Sequence, residues 1–222
     1  MIFAAGFGTR MRHLTADRPK PMIPVCDRPL IDHALSLAQE ISPEKIVINT
    51  HYKAEVLHAH LDQTDVIICH EDADILDTGG GLRNALGHLG TEPVLTMNPD
   101  VVWRGANPLS VLLDHWEPSE MDALLCCVPL TRTIGRSAGG DFQMAEDGRL
   151  SRGGDLVYGG VQILKTDRLA TVPDQVFSLN RIWDQIAAQK RLYAVEYPGF
   201  WCDVGTPEGI PLAEELLSRD DI

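Results

Sequence analysis

No run of apolar residues in this 222-residue chain is long enough to span a bilayer, and no leader-like segment precedes its first apolar stretch. No helical membrane anchor is expected on that pattern, and the cytoplasm is the expected location. Cysteine is scarce: Cys26, Cys69, Cys126, Cys127 and Cys202 are odd in number and form no Cys-x-x-Cys pair. A disulfide scaffold is therefore not expected, and the thiols read as reduced and mostly buried. Positive charge is also in short supply, with 19 Lys and Arg against 32 Asp and Glu and a net charge of −13. Such a balance argues against nucleic acid or an anionic membrane as partner. A serine hydrolase has no Gly-x-Ser-x-Gly elbow to rest on. His58 and His60 are two apart, so they point to different faces of a helix, and the other histidines are isolated, which leaves no zinc pattern. The length suits one large domain or a domain with a small subdomain.

What the chain does have stands at its start. Ala4-Ala5-Gly6-Phe7-Gly8-Thr9-Arg10 follows a short apolar run, and Pro19-Lys20-Pro21 comes ten residues later. Two glycines one residue apart let the backbone turn tightly and bring its N–H groups to an anion. The spacing fails for a P-loop, which needs four residues between its glycines. It is also poor for a dinucleotide fingerprint, because Met11 stands where the third glycine belongs. Around this loop the charge reverses. Arg10, Arg12, Arg18 and Lys20 against Asp17 give +3 in the first twenty residues, so a total of −13 leaves −16 for the remainder. A basic pocket on an acidic body suits a small polyphosphate. Met1–Ala4 is short for the strand that should lead into Gly6, which leaves either a tight start or a true N-terminus a few residues upstream.

The whole string from Ala4 to Val25, AAGFGTRMRHLTADRPKPMIPV, strongly resembles the N-terminal signature of the sugar-1-phosphate nucleotidyltransferases. More sparsely, the resemblance runs on through Asp203. Longer members carry a C-terminal acyltransferase or β-helix in an extension with short repeats; none is visible in these 222 residues, so transferase activity alone is expected.

Along the chain, Pro29 to Glu40 and Ala54 to Leu61 have helical apolar spacing, and Leu82 to Leu89 reads as a third helix. Lys45–Asn49, Val66–Cys69 and Pro93–Met97 are short strand-like runs between them. This alternation predicts an α/β fold: a doubly wound, mainly parallel, Rossmann-like sheet with helices on both faces and ligands beyond the strand ends. Later, Ala123–Val128 and Val157–Leu164 read as strands, and residues 140–150 as a hairpin around Glu146-Asp147-Gly148. These would form a small β-rich sugar-binding subregion. One transferase domain over 1–222 is expected, with a nucleotide half at about 1–110, a sugar half at about 120–205 and a terminal helix at 206–222.

Within this frame the candidate residues fall into groups. Asp77-Thr78-Gly79-Gly80-Gly81-Leu82-Arg83 reads as a loop between strand and helix, either merely flexible or shaped to let a base lie on its backbone. Family resemblance favours nucleoside contact at Thr78, Gly79 and Gly80. Asp100 ends the strand Pro93–Met97 at Asn98-Pro99, where a carboxylate faces the ligand crevice. The resemblance makes it the first metal-binding aspartate and makes Asp203, in Phe200-Trp201-Cys202-Asp203-Val204-Gly205-Thr206, the second, with Mg²⁺ as cofactor. It also implies that Ala4, Ala5, Gly6, Gly8 and Thr9 bind the nucleotide, that Arg10 and Lys20 are catalytic, and that Gly140, Asp141 and Gly160 line the sugar pocket. One departure stands out: the Glu-Lys-Pro of many members is replaced by Leu150-Ser151-Arg152-Gly153, leaving Arg152 as the candidate for its lysine.

A sugar 1-phosphate is already an anionic nucleophile near neutral pH, so no general base is required. Catalysis then reduces to positioning and charge neutralisation along an in-line path at the α-phosphorus of a nucleoside triphosphate. Within the family, the short chain, the Asp-Thr-Gly-Gly-Gly loop and the Gly140-Asp141-Phe142 segment resemble the N-acetylmuramate-1-phosphate uridylyltransferases of cell-wall recycling most, which favours UTP. Mannose-1-phosphate guanylyltransferases are the alternative. A catalytically silent nucleotide-sugar sensor is the reading from another class, and it would be expected to have lost Arg10, Lys20 or an acid.

Overall fold

The computed structural model describes residues 1–219; the last three positions of the expected 206–222 segment lie outside them. The short Ile2–Phe3 strand runs through the middle of a nine-stranded sheet, parallel to Val47–Thr50 on one side and Val94–Met97 on the other. Ile67–His70 adds to the outer side of Val47–Thr50, also parallel. The parallel strands are linked by helices α1 (Leu30–Glu40), α2 (Ala54–Leu61) and α3 (Asp77–Leu89). In α1, Leu30, Ile31, Ala34, Leu35 and Ala38 recur at helical spacing and are all buried.

Alternate strand residues sort into two cores. Ile2, Ile48, Leu124 and Cys126 pack with α1, α2 and α4 (Pro108–His115), whereas Met1, Val47, Leu125 and Cys127 pack with α3 and α5 (Asn180–Ala188). The strand period of two therefore builds a sheet covered on both faces, the expected doubly wound α/β architecture. Two helices were not foreseen. Helix α4 is capped by Asn107, whose Oδ1 accepts the Leu109 N–H at 2.9 Å. Helix α5 buries Ile182, Trp183 and Ile186, a spacing that was readable but sits in a polar segment.

Beyond Val94–Met97 the sheet turns antiparallel. The nine-residue Leu156–Leu164 strand pairs with Val94–Met97 and with Ala123–Pro129, and the register shifts between Tyr158 and Gln162. The Phe142–Met144 and Leu150–Arg152 hairpin attaches at Leu156, as expected from Glu146-Asp147-Gly148. A separate ribbon pairs Val101–Arg104 antiparallel with Phe200–Asp203, setting Asp203 opposite Val101. Helix α6 (Gly209–Ser218) closes the described chain.

One boundary differs in a way that matters. The Asp77–Arg83 segment is no loop; it is the first two turns of α3. A Cβ at Gly79 would lie 2.4 Å from the Phe177 ring, and one at Gly80 would lie 2.4 Å from the Gln175 carbonyl oxygen. These glycines let segment 175–177 run flush against the helix.

Candidate active site

The glycine loop curls back on itself: the Met11 N–H donates to the Gly8 carbonyl at 2.8 Å, and Gly8 is left-handed at φ +62°. A Cβ there would meet Lys20 Cβ at 2.8 Å, whereas at Gly6 nothing lies within 4 Å. Gly8 thus makes room for Lys20, and Gly6 leaves the loop backbone open. Flanking prolines hold Lys20 at the start of a single 3₁₀ turn, Lys20–Met22. Its residue is 8 % exposed, and its Nζ donates to Asp100 Oδ2 at 2.6 Å.

Strand pairing joins the two distant acids. Asp203 sits across from Val101, and the Val204 N–H donates to the Asp100 carbonyl at 3.0 Å. Gly205 keeps the space beside them clear: a Cβ there would stand 2.8 Å from Asp203 Oδ1 and 3.1 Å from Arg10 Nη1. Burial raises the Asp203 carboxyl above its ordinary range and the Asp100 carboxylate adds to that, while Lys20, Arg10 and Arg136 pull the other way. Two carboxylates and a set of cations from separate segments therefore share one small volume. Among the described residues no group of three or more His, Cys, Asp or Glu side chains is placed to hold a metal ion.

A cleft of about 320 Å³ opens at the ends of the parallel strands, lined by Ala4, Ala5, Gly6, Gly8, Thr9, Arg10, Lys20, Asp100 and Thr78. Asn49, Asn98 and Gly205 also line it, and the sequence reading had missed the two asparagines. A second chamber of about 250 Å³ adjoins the first and shares Phe3, Asp77, Thr78 and Asn98 with it. Its far wall is Phe142, Arg152, Tyr158, Gln162 and Trp183, with the Trp183 indole N–H donating to Gln162 Oε1 at 2.7 Å. Of these, only Arg152 was foreseen.

Several expected contacts fall elsewhere. Gly79 and Gly80 line neither chamber, and their N–H groups both donate to the Phe177 carbonyl at 2.9 and 3.0 Å, which leaves nothing to read a base. Thr78, one residue earlier, does line both. Gly140 is packed under the Gly154 carbonyl, where a Cβ would come within 2.5 Å. Gly160, at φ +92°, is approached by Asn98 and not by open space; its carbonyl accepts the Asn98 N–H at 2.8 Å. Asp141 lines the second chamber, but its carboxylate accepts from Arg136 at 2.7 Å and from the Tyr158 N–H at 3.0 Å, fastening the hairpin to the long strand. Arg152 also lines that chamber, paired with Asp184 at 2.7 Å and stacked over the Phe142 ring.

Loops gathered at the ends of a doubly wound sheet, with a glycine turn, a buried lysine and paired aspartates, define a nucleotide-handling α/β enzyme. Residues 1–139 match the family model of the MobA-like NTP transferase domain, and the chain belongs to that family. Among curated proteins it is 37% identical to the N-acetylmuramate alpha-1-phosphate uridylyltransferase of Caulobacter vibrioides, over 99% of this chain and 96% of that one. It is 28% identical to mannose-1-phosphate guanylyltransferase 1 of Arabidopsis thaliana over 93% of this chain, spanning 61% of that relative. A UDP-glucose pyrophosphorylase solved with UDP-glucose shares the fold at a TM-score of 0.77 and 18% identity, covering 97% of this chain and 96% of that one. The protein is a sugar-1-phosphate nucleotidyltransferase. No helix among the described residues is long and apolar enough to cross a membrane.

Proposed function

We propose that this protein transfers a uridylyl group from UTP to N-acetylmuramate 1-phosphate in the cytoplasm, releasing pyrophosphate, as a step of peptidoglycan recycling. The observation that carries the choice of substrate is the likeness to the Caulobacter uridylyltransferase, which extends over nearly the full length of both chains. In this reading the single domain has a nucleotide half, residues 1–110, around the first chamber and a sugar half, residues 120–205, behind the second.

The triphosphate lies in the first chamber, with its phosphates along Gly6 to Arg10. The sugar occupies the second, and its phosphate meets the α-phosphorus beside Lys20. Arg10 holds the departing pyrophosphate, and Lys20 neutralises charge on the α-phosphate and the incoming phosphate. Asp100 and Asp203 would hold Mg²⁺. A hard cation suits an all-oxygen donor pair that relies on phosphate and water for its other ligands. It also suits a site where burial and Asp100 together raise the Asp203 carboxyl. When bound, the ion would neutralise phosphate charge. The Lys20 ammonium, which donates to Asp100 in the free protein, also faces the cleft in which the substrate phosphates would lie.

The test is pyrophosphate release by purified protein with Mg²⁺, using UTP or GTP against a panel of sugar 1-phosphates. Turnover with UTP and N-acetylmuramate 1-phosphate is expected, and it should vanish in Asp100→Ala. Turnover confined to GTP and mannose 1-phosphate would replace the substrate assignment. Tight nucleotide-sugar binding without turnover for any pair would overturn the reading in favour of a sensor.

A further inference from the structure

Behind the first chamber lies a chain of buried polar groups. The Ala4 N–H donates to Asn49 Oδ1 at 2.8 Å, and Asn49 Nδ2 donates to Glu71 Oε1 at 2.7 Å. From the other end, the Leu76 N–H donates to Glu71 Oε2 at 2.8 Å. Asn49 is 3 % exposed and Glu71 is 2 % exposed. Gly81 of α3 leaves the space they fill, since a Cβ there would sit 2.8 Å from Glu71 Oε1 and 2.9 Å from Asn49 Nδ2. Both ends of the chain open onto the cleft. Ala4 and Asn49 line it directly, and Leu76 leads into Asp77 and Thr78, which also line it.

With an amide at position 49, the order of donors and acceptors admits one solution at position 71. Both ends are backbone N–H groups, which can only donate. A side-chain amide passes a hydrogen bond on, because it accepts at its oxygen and donates at its nitrogen. Two donating ends joined through such an amide must therefore meet at a group that only accepts, and an ionised carboxylate is that group. Glutamine at position 71 would leave two donors facing each other wherever the amides were flipped, between groups that are almost wholly buried.

We infer that Glu71 is a positioning residue whose ionised carboxylate ties the start of the phosphate loop to the start of α3, and so sets the width of the nucleotide chamber. The inference rests on the proposal that this chamber takes the nucleoside triphosphate. It carries a distinctive corollary. If the carboxylate moves to position 49 and the amide to position 71, the chain of bonds closes again. The relocated carboxylate accepts from the Ala4 N–H and from the relocated amide nitrogen, and the amide oxygen accepts from the Leu76 N–H.

The experiment compares wild type, Glu71→Gln, Asn49→Asp and the double variant N49D/E71Q by thermal melting and by steady-state pyrophosphate release at varied UTP. Glu71→Gln should raise the KM for UTP by about tenfold or more, with a smaller change in kcat. It should also lower the melting temperature. Asn49→Asp sets two carboxylates face to face and should behave as badly, while the double variant should recover melting temperature and KM to within about threefold of wild type. Unchanged kinetics in Glu71→Gln, or a double variant no better than the worse single one, overturns the inference. If Glu71→Gln does not fold, a folded and active double variant still supports it, and an equally unfolded one overturns it. Wild-type protein that neither binds nor turns over a triphosphate would instead remove the chamber assignment, while the melting data still judge the hydrogen-bond chain.

Discussion

Replacing Lys20 with methionine isolates its charge from its packing. The methylene stem beside Gly8 is retained, because it is Lys20 Cβ that a Cβ at Gly8 would touch, at 2.8 Å. What is lost is an ammonium 2.6 Å from Asp100 Oδ2, with side chains 10 % and 30 % exposed. At that distance an effective dielectric of about 20 gives an attraction of about 6 kcal/mol before solvation is subtracted. Asp100 is open enough to rehydrate, so the net loss of stability should be about 1 kcal/mol. The transition state has no such recourse, because phosphate charge develops in a site where the ammonium was already in place. Loss of one such contact costs about 2.7–4 kcal/mol of barrier, roughly 10²–10³-fold in turnover. Thermal melting and kcat/KM for pyrophosphate release would be measured on Lys20→Met and Lys20→Arg. A folded Lys20→Met protein within about threefold of wild type in kcat/KM would refute the assignment of Lys20 to the reacting phosphates.

Gly8→Ala tests the same lysine from behind: strain at φ +62° adds about 1 kcal/mol, and the 2.8 Å approach to Lys20 should displace it and lower kcat. Gly79→Ala separates packing from nucleotide contact. Its Cβ would enter the Phe177 ring at 2.4 Å, so a melting loss worth about 1–3 kcal/mol is expected, with the KM for UTP near wild type at permissive temperature. A raised KM with an unchanged melting temperature would return Gly79 to the binding site. Asp122 supplies a pH test away from the chemistry. It is held by Arg191, Arg168 and Lys165, which together overcome the cost of its burial and bring its carboxyl down to about 2 from 3.8. A depressed carboxyl stabilises the fold above the unfolded value and loses that effect as pH falls through the folded one. Asp122→Asn should therefore cost about 2 kcal/mol at pH 7, and the difference from wild type in denaturant melts should shrink between about pH 4 and about pH 2.

How far the sequence could be read depended on whether a residue's neighbours lie near it in the chain. The turn at Gly6 to Arg10 and the strand-ending Asp100 are local devices, and α1 and α2 declare themselves by apolar spacing within a dozen residues. Asp203 was found by likeness of its segment. Its convergence on Asp100 comes from the register that sets it opposite Val101, and no spacing contains that register. The glycines mark the limit most clearly, because the same residue serves three ends. At Gly6 it leaves open space. At Gly8 and Gly81 it yields room to side chains that fix the site, and at Gly79, Gly80 and Gly160 it admits another part of the protein itself. Only the atom that a Cβ would meet separates these cases, and for Gly79 that atom belongs to Phe177, 98 residues further along the chain. The Asn49–Glu71 pair is hidden for the same reason. Neither residue carries a motif, and the need for a carboxylate arises only when Ala4 and Leu76 bring their N–H groups to it from two different elements. A substitution scan of this site should therefore find its strongest couplings between residues far apart in sequence, along the hydrogen bonds from Ala4 to Leu76.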